Sequence, residues 1–139
     1  MTGATTAPRT CPSARCAPGN RLLGVIGADG RMRALRTPLP VDDAFAAEAA
    51  RAGRPEARMR FAGTCVEAGC AQWTGAGCGV IERVLDLLAP DAPAALPPCA
   101  IRGQCRWFGQ RGGQACAACA DVVTDRRPQT EAPDPIAAG

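Results

Sequence analysis

The chain contains no histidine, no tyrosine and no lysine, and only five aromatic residues in 139 positions. The missing histidine excludes Ser–His and Cys–His nucleophilic pairs, the commonest general base, and every mixed Cys/His zinc site. Any metal must be held mainly by thiolates. Large aliphatic residues are also scarce: 29 of the hydrophobic positions are alanine, and Leu, Ile, Val and Phe together number 22, about 16% of the chain. A share below about 20% marks a chain that buries little apolar surface. With a net charge of only +3, the chain reads as a thin-cored domain that needs cross-links. A structural metal contributes roughly 10–16 kcal/mol, against a whole-domain stability of about 5–15 kcal/mol.

No run approaches the ~20 apolar residues that span a bilayer, and the first twenty residues lack an apolar run of signal-peptide length. These absences lead us to expect a soluble cytoplasmic protein with no membrane partner. All 16 basic residues are arginine, which in so Ala-, Gly- and Pro-rich a chain reads as coding bias. Residues 1–64 carry a charge of +5 and residues 65–139 a charge of −2. That mild asymmetry argues against nucleic acid as a partner.

What is abundant is cysteine, with nine residues, seven of them between Cys65 and Cys119. The spacing is C-x4-C-x7-C-x20-C-x5-C-x10-C-x2-C over Cys65, Cys70, Cys78, Cys99, Cys105, Cys116 and Cys119. Clustered cysteines in a reducing compartment favour metal or redox chemistry over disulfides. An iron–sulfur cluster is the first expectation. Such clusters use four thiolates in irregular loops, and Gly75, Gly77, Gly79, Gly103, Gly112 and Gly113 would let backbone amides approach the sulfurs. Arg102, Arg106 and Arg111 would offset the cluster's negative charge, and Trp107 and Phe108 would shield it. Arg102, Arg106 and Trp107 are therefore the candidate cofactor-binding residues. The spacing matches neither the bacterial nor the plant-type ferredoxin run.

Structural zinc is the alternative, although only Cys116-x2-Cys119 forms a tight hook. An odd cysteine count argues against disulfides. A thioredoxin-like dithiol at Cys116 and Cys119 lacks the strand that should precede it. Seven cysteines exceed one four-ligand site. The preferred arrangement is one site at Cys99, Cys105, Cys116 and Cys119. The second holds Cys65, Cys70 and Cys78, with an N-terminal cysteine or a non-cysteine ligand; a single site drawing ligands from both sides of the 79–88 helix is the close alternative. Cys11 and Cys16 repeat the C-x4-C spacing, and spacing does not choose between them.

The rest is scaffold. Residues 1–20 read as irregular, and 21–62 as a β-hairpin plus helix. In that unit residues 22–26 and 31–35 are strands, with Gly27–Gly30 as the reversal. Thr37–Pro40 reads as a linker. Asp42 or Asp43 caps a helix that stops at Gly53. Arg54–Phe61 reads as a solvated charged segment. Residues 63–124 form the cysteine-rich metal-binding region. In it 79–88 is an amphipathic helix with Val80, Ile81, Val84, Leu85 and Leu88 on one face, residues 89–98 are a Pro/Ala linker, and 121–124 are a candidate short strand. Residues 125–139 read as a disordered tail. The expected fold is a small α+β, cysteine-rich, metal-stabilised domain with an N-terminal β-hairpin and two short helices. It would act as an electron carrier or as an accessory to a redox or enzyme partner. No catalytic residue emerges.

Overall fold

Alternating apolar residues in short, glycine-punctuated runs build a four-stranded antiparallel sheet. A computed structural model describes residues 9–91 and 93–125; of the tail expected at 125–139, residues 126–139 lie outside them, and Asp125 is tied to the domain by its amide, which donates to the Glu56 carbonyl at 3.1 Å. Strands β1 (Thr10–Ala14), β2 (Arg21–Ile26), β3 (Met32–Pro40) and β4 (Met59–Thr64) lie in the order β1-β4-β2-β3. Five short α-helices accompany them: α1 (Asp43–Arg51), α2 (Pro55–Arg58), α3 (Gly79–Leu88), α4 (Arg106–Arg111) and α5 (Gly113–Cys119). The architecture is therefore α+β, with more helices than the two expected.

The β2–β3 hairpin forms as the glycines imply. Gly30 takes φ +80, and Asp29 Oδ1 accepts from the Arg31 amide at 3.0 Å, an Asx-type closure. β3 runs on through Thr37–Pro40, the stretch read as a linker. It is an edge strand, where proline's missing N–H leaves no ladder bond unmade. Asp42 is the cap of α1, accepting from the Phe45 amide at 2.8 Å, and Gly53 takes φ +120 just past the helix end.

Alternation along the strands divides the core in two. Leu22 and Phe61 face one side, where Val41 and half-buried Phe45, Ala46 and Cys16 complete a cluster. Phe45 meets Phe61 edge-on at 6.3 Å. Leu23 and Ala62 face the other side and pack with Ile81, Leu85, Ile101, Cys105, Trp107, Ala115, Ala118 and Val122. The second core is where the cysteine region docks. Helix α3 buries Ile81 and Leu85 as its periodicity predicts, whereas Leu88 is about half exposed.

Three segments differ from expectation. β1 lies inside the stretch read as irregular. Its N–H and C=O groups pair with β4 (Thr10 with Thr64, Cys11 with Gly63), a partner far along the chain that no local pattern announces. Residues 121–124 form no strand; Val122 is buried instead. The Arg54–Phe61 segment is not a solvated face, because Arg60 lies inside β4 and is fully buried.

Candidate metal centres

All nine thiols are free, and four of them line one cavity. The first group is Cys99, Cys105, Cys116 and Cys119. These line one largely apolar cavity of about 250 Å³, together with Pro12, Leu23, Met32, Ile101, Trp107 and Phe108. Helix α5 presents Cys116 and Cys119 one turn apart, so residues i and i+3 share a face. Neither α4 nor α5 is among the two short helices expected from the sequence. Gly112 at φ +65 separates the two helices and allows the sharp change of direction.

Cys105 sits immediately before α4. Burial pushes its thiol up to about 11; the like-charged thiols of Cys119 and Cys99 add to the rise, and the Phe108 and Trp107 backbone amides oppose it. A cation at the cavity would reverse that balance, since thiolates, not thiols, ligate metals.

Arg102 lines the cavity, and a second guanidinium lies buried behind it against Cys119, one of the lining residues. Arg60 projects from β4 into the second core and is 0% exposed. Its Nε and Nη2 donate to the Pro12 carbonyl at 3.0 and 2.7 Å, and its Nη1 donates to the carbonyls of Cys119 (2.7 Å) and Val122 (2.9 Å). Nη2 also stands 3.4 Å from the Cys119 sulfur, and the guanidinium lies 5.4 Å from the Trp107 ring centroid. Among the described residues no carboxylate forms an ion pair with it. Arg60 was missed as a site residue. Its alternation with Ala62 on the cysteine-facing side of β4 was the available signal.

The second group is Cys65, Cys70 and Cys78, with Cys11 beside them. A short 3-10 turn at Glu67–Gly69 carries the chain from Cys65 to Cys70. A bridge between Trp73 and Cys78 then closes the loop that brings Cys78 back. Gly79 allows this close return: its amide donates to the Gln72 carbonyl at 2.7 Å, and a Cβ there would meet that oxygen at 2.8 Å. Gln110 of α4 pins the loop. It accepts from the Cys78 amide at 2.8 Å and donates to the Cys78 carbonyl at 3.0 Å and to Glu82 at 2.8 Å. The Cys70 sulfur accepts from the Gln72 amide, and the Cys78 sulfur from Trp107 Nε1, each at 3.4 Å. The Cys11 thiol is raised by burial, lowered by the Ser13 amide, and raised again by the facing Cys65, Cys78 and Cys70 thiols.

The predicted cofactor-binding residues divide between the two groups. Arg102 lines the first cavity and stacks 6.0 Å from the Phe108 ring centroid, with its guanidinium bonded to the Pro97 carbonyl. Arg106 turns to the second group: it pairs with Glu67, reaches Cys65 and stacks 5.0 Å from the Trp73 ring centroid. Trp107 touches both, lining the first cavity while its indole N–H points to Cys78. Arg111 belongs to neither; it pairs with Glu82. Cys16 also stands apart. Its amide donates to Glu56 at 2.7 Å, and it packs beside Phe61 on the other core.

Among the described residues, no three cysteine, aspartate or glutamate side chains converge tightly enough to enclose a single metal ion. Among the described residues, no helix is long and apolar enough to cross a membrane. No family model, curated protein or solved structure matches the chain.

Proposed function

We propose that this is an iron–sulfur protein, metal-stabilised and cytoplasmic, which carries electrons for, or lends a cluster to, a protein redox or enzyme partner. The observation that carries the reading is the fully buried guanidinium of Arg60, 3.4 Å from the sulfur of Cys119, one of the four cysteines that line the cavity. Burying a cation costs several kcal/mol unless a negative charge compensates it. The carbonyls around Arg60 solvate it but do not neutralise it. A four-thiolate cluster bears net negative charge and would supply that counter-charge at Cys119. A cavity of about 250 Å³ also offers more room than one ion needs. In this reading Cys99, Cys105, Cys116 and Cys119 hold the cluster. Arg60 and Arg102 set its electrostatics, while Trp107, Phe108 and Ile101 exclude water. The cluster supplies one-electron chemistry when bound.

Zinc is the second reading, favoured by the placement of Cys116 and Cys119 on successive turns of α5, a usual two-ligand hook. Anaerobic purification followed by a visible spectrum and assay of iron, acid-labile sulfide and zinc separates the two. The expected result is a coloured protein with iron and sulfide in equal amounts. A colourless protein with stoichiometric zinc and no sulfide refutes the iron–sulfur reading. Alanine at each of Cys99, Cys105, Cys116 and Cys119 is expected to abolish metal retention in that cavity. Unchanged metal content in all four variants would refute the assignment whichever metal is present.

A further inference from the structure

We infer that Cys11 completes a second four-thiolate centre with Cys65, Cys70 and Cys78, so that the chain holds two metal–sulfide clusters. This rests on the iron–sulfur reading of the first cavity and extends it to a separate set of ligands.

The placement of Cys11 follows from sheet register. Cys11 stands opposite Gly63 in the β1–β4 ladder, and side chains two apart on a strand share a face. Cys65 follows Gly63 by two and is held in line by its amide bond to the Arg9 carbonyl at 2.8 Å. The Cys11 and Cys65 side chains therefore fall on the same side of the sheet, while Pro12 turns the other way and lines the first cavity. The Trp73–Cys78 bridge and the Gln110 clamp fix Cys78 beside α4, next to which the Thr10–Cys105 bridge places β1, and the Cys65, Cys78 and Cys70 thiols all bear electrostatically on Cys11.

The surroundings of this group are those of a thiolate site. Backbone or indole N–H groups aim at the sulfurs of Cys70 and Cys78, and the partly buried guanidinium of Arg106 reaches Cys65. Such donors favour thiolates and tune a cluster's potential. Among the described residues no three cysteine or acidic side chains form a group that could hold a metal ion, so in this proposal cluster binding draws the four thiols together. Cys70 is exposed, which puts this centre at the surface where a partner could exchange electrons. Trp107 lines the first cavity and donates to the Cys78 sulfur, so it stands between the two groups.

Full-length protein isolated anaerobically tests the inference through iron and acid-labile sulfide per chain. Cys11→Ser is expected to lower both to about half the wild-type value, and Cys16→Ser to leave them unchanged. Cys70→Ser, at an exposed position where folding is least at risk, is expected to match Cys11→Ser. Wild-type iron in Cys11→Ser and Cys70→Ser, or a loss confined to Cys16→Ser, would overturn the second centre and leave the first standing. Wild-type protein without iron and sulfide would overturn the iron–sulfur reading and the second centre together.

Discussion

Replacing Arg60 by methionine tests the electrostatic core of the proposal. The side chains are similar in length and both suit a buried site, but methionine carries no charge and no donor. Three carbonyls, those of Pro12, Cys119 and Val122, lose their partner. Each orphaned acceptor costs about 1–3 kcal/mol. In metal-free protein the loss is partly offset, because an uncompensated buried cation is removed as well. With a cluster bound the cation is paired and its removal is not offset, so the variant should lose more stability loaded than metal-free. The potential should move too. Arg60 Nη2 is 3.4 Å from the Cys119 sulfur. At an effective dielectric constant of about 20, a full unit charge there interacts with the guanidinium by about 5 kcal/mol. An added electron spreads over the cluster, so about a quarter of that, roughly 1 kcal/mol or about 50 mV for one electron, should appear in the midpoint. The cation favours the more negative reduced form, so Arg60→Met should lower the potential and Arg60→Lys should shift it less. Anaerobic potentiometric titration followed by electron paramagnetic resonance reads this directly. A retained cluster with an unmoved or raised potential would refute the argument.

Two further outcomes follow from the same geometry. Burial raises the Cys105 thiol from its ordinary value of 9.0 to about 11. Its neutral form is thus favoured by folding, and the associated stability is complete below about pH 9 and lost as pH rises through about 11. Denaturant titrations of metal-free protein should show a decline of about 2–3 kcal/mol across that window, and Cys105→Ala should flatten it; a wild-type curve already flat would contradict the burial argument. Gly79→Ala places a methyl group 2.8 Å from the Gln72 carbonyl. The loop carrying Cys78 must then shift, at a cost of about 1–3 kcal/mol in thermal unfolding, with iron loss from the second group only. An unchanged melting temperature would show that the close return there is not tight.

Local pattern carried some elements and missed others for identifiable reasons. The β2–β3 hairpin, the Asp42-capped α1 and the amphipathic α3 were legible because their signals lie within a dozen residues: turn glycines, a cap, a 3.6 period. β1 and β4 were not, because each is half of a pair whose other half is about 50 residues away. The two short helices between Arg106 and Cys119 have no side-chain cap to announce them. Once packed on the sheet, Trp107, Ala115 and Ala118 bury there and hold two short helices that would not persist alone.

The sequence by itself determined the chemistry available. Without histidine and with nine cysteines, any metal centre would have to be thiolate-rich. Tertiary structure alone decided the grouping. Cys11 and Cys16 carry the same spacing signal, and only strand register sends one toward Cys65 and the other toward Phe61. Arg60 reads as one more charge in a basic run, and only the pairing of β4 between β1 and β2 buries it against Cys119. Ligand type is a property of side chains, present in the unfolded chain. Ligand grouping and counter-charge are properties of distance, and distances between remote residues exist only once the sheet has closed.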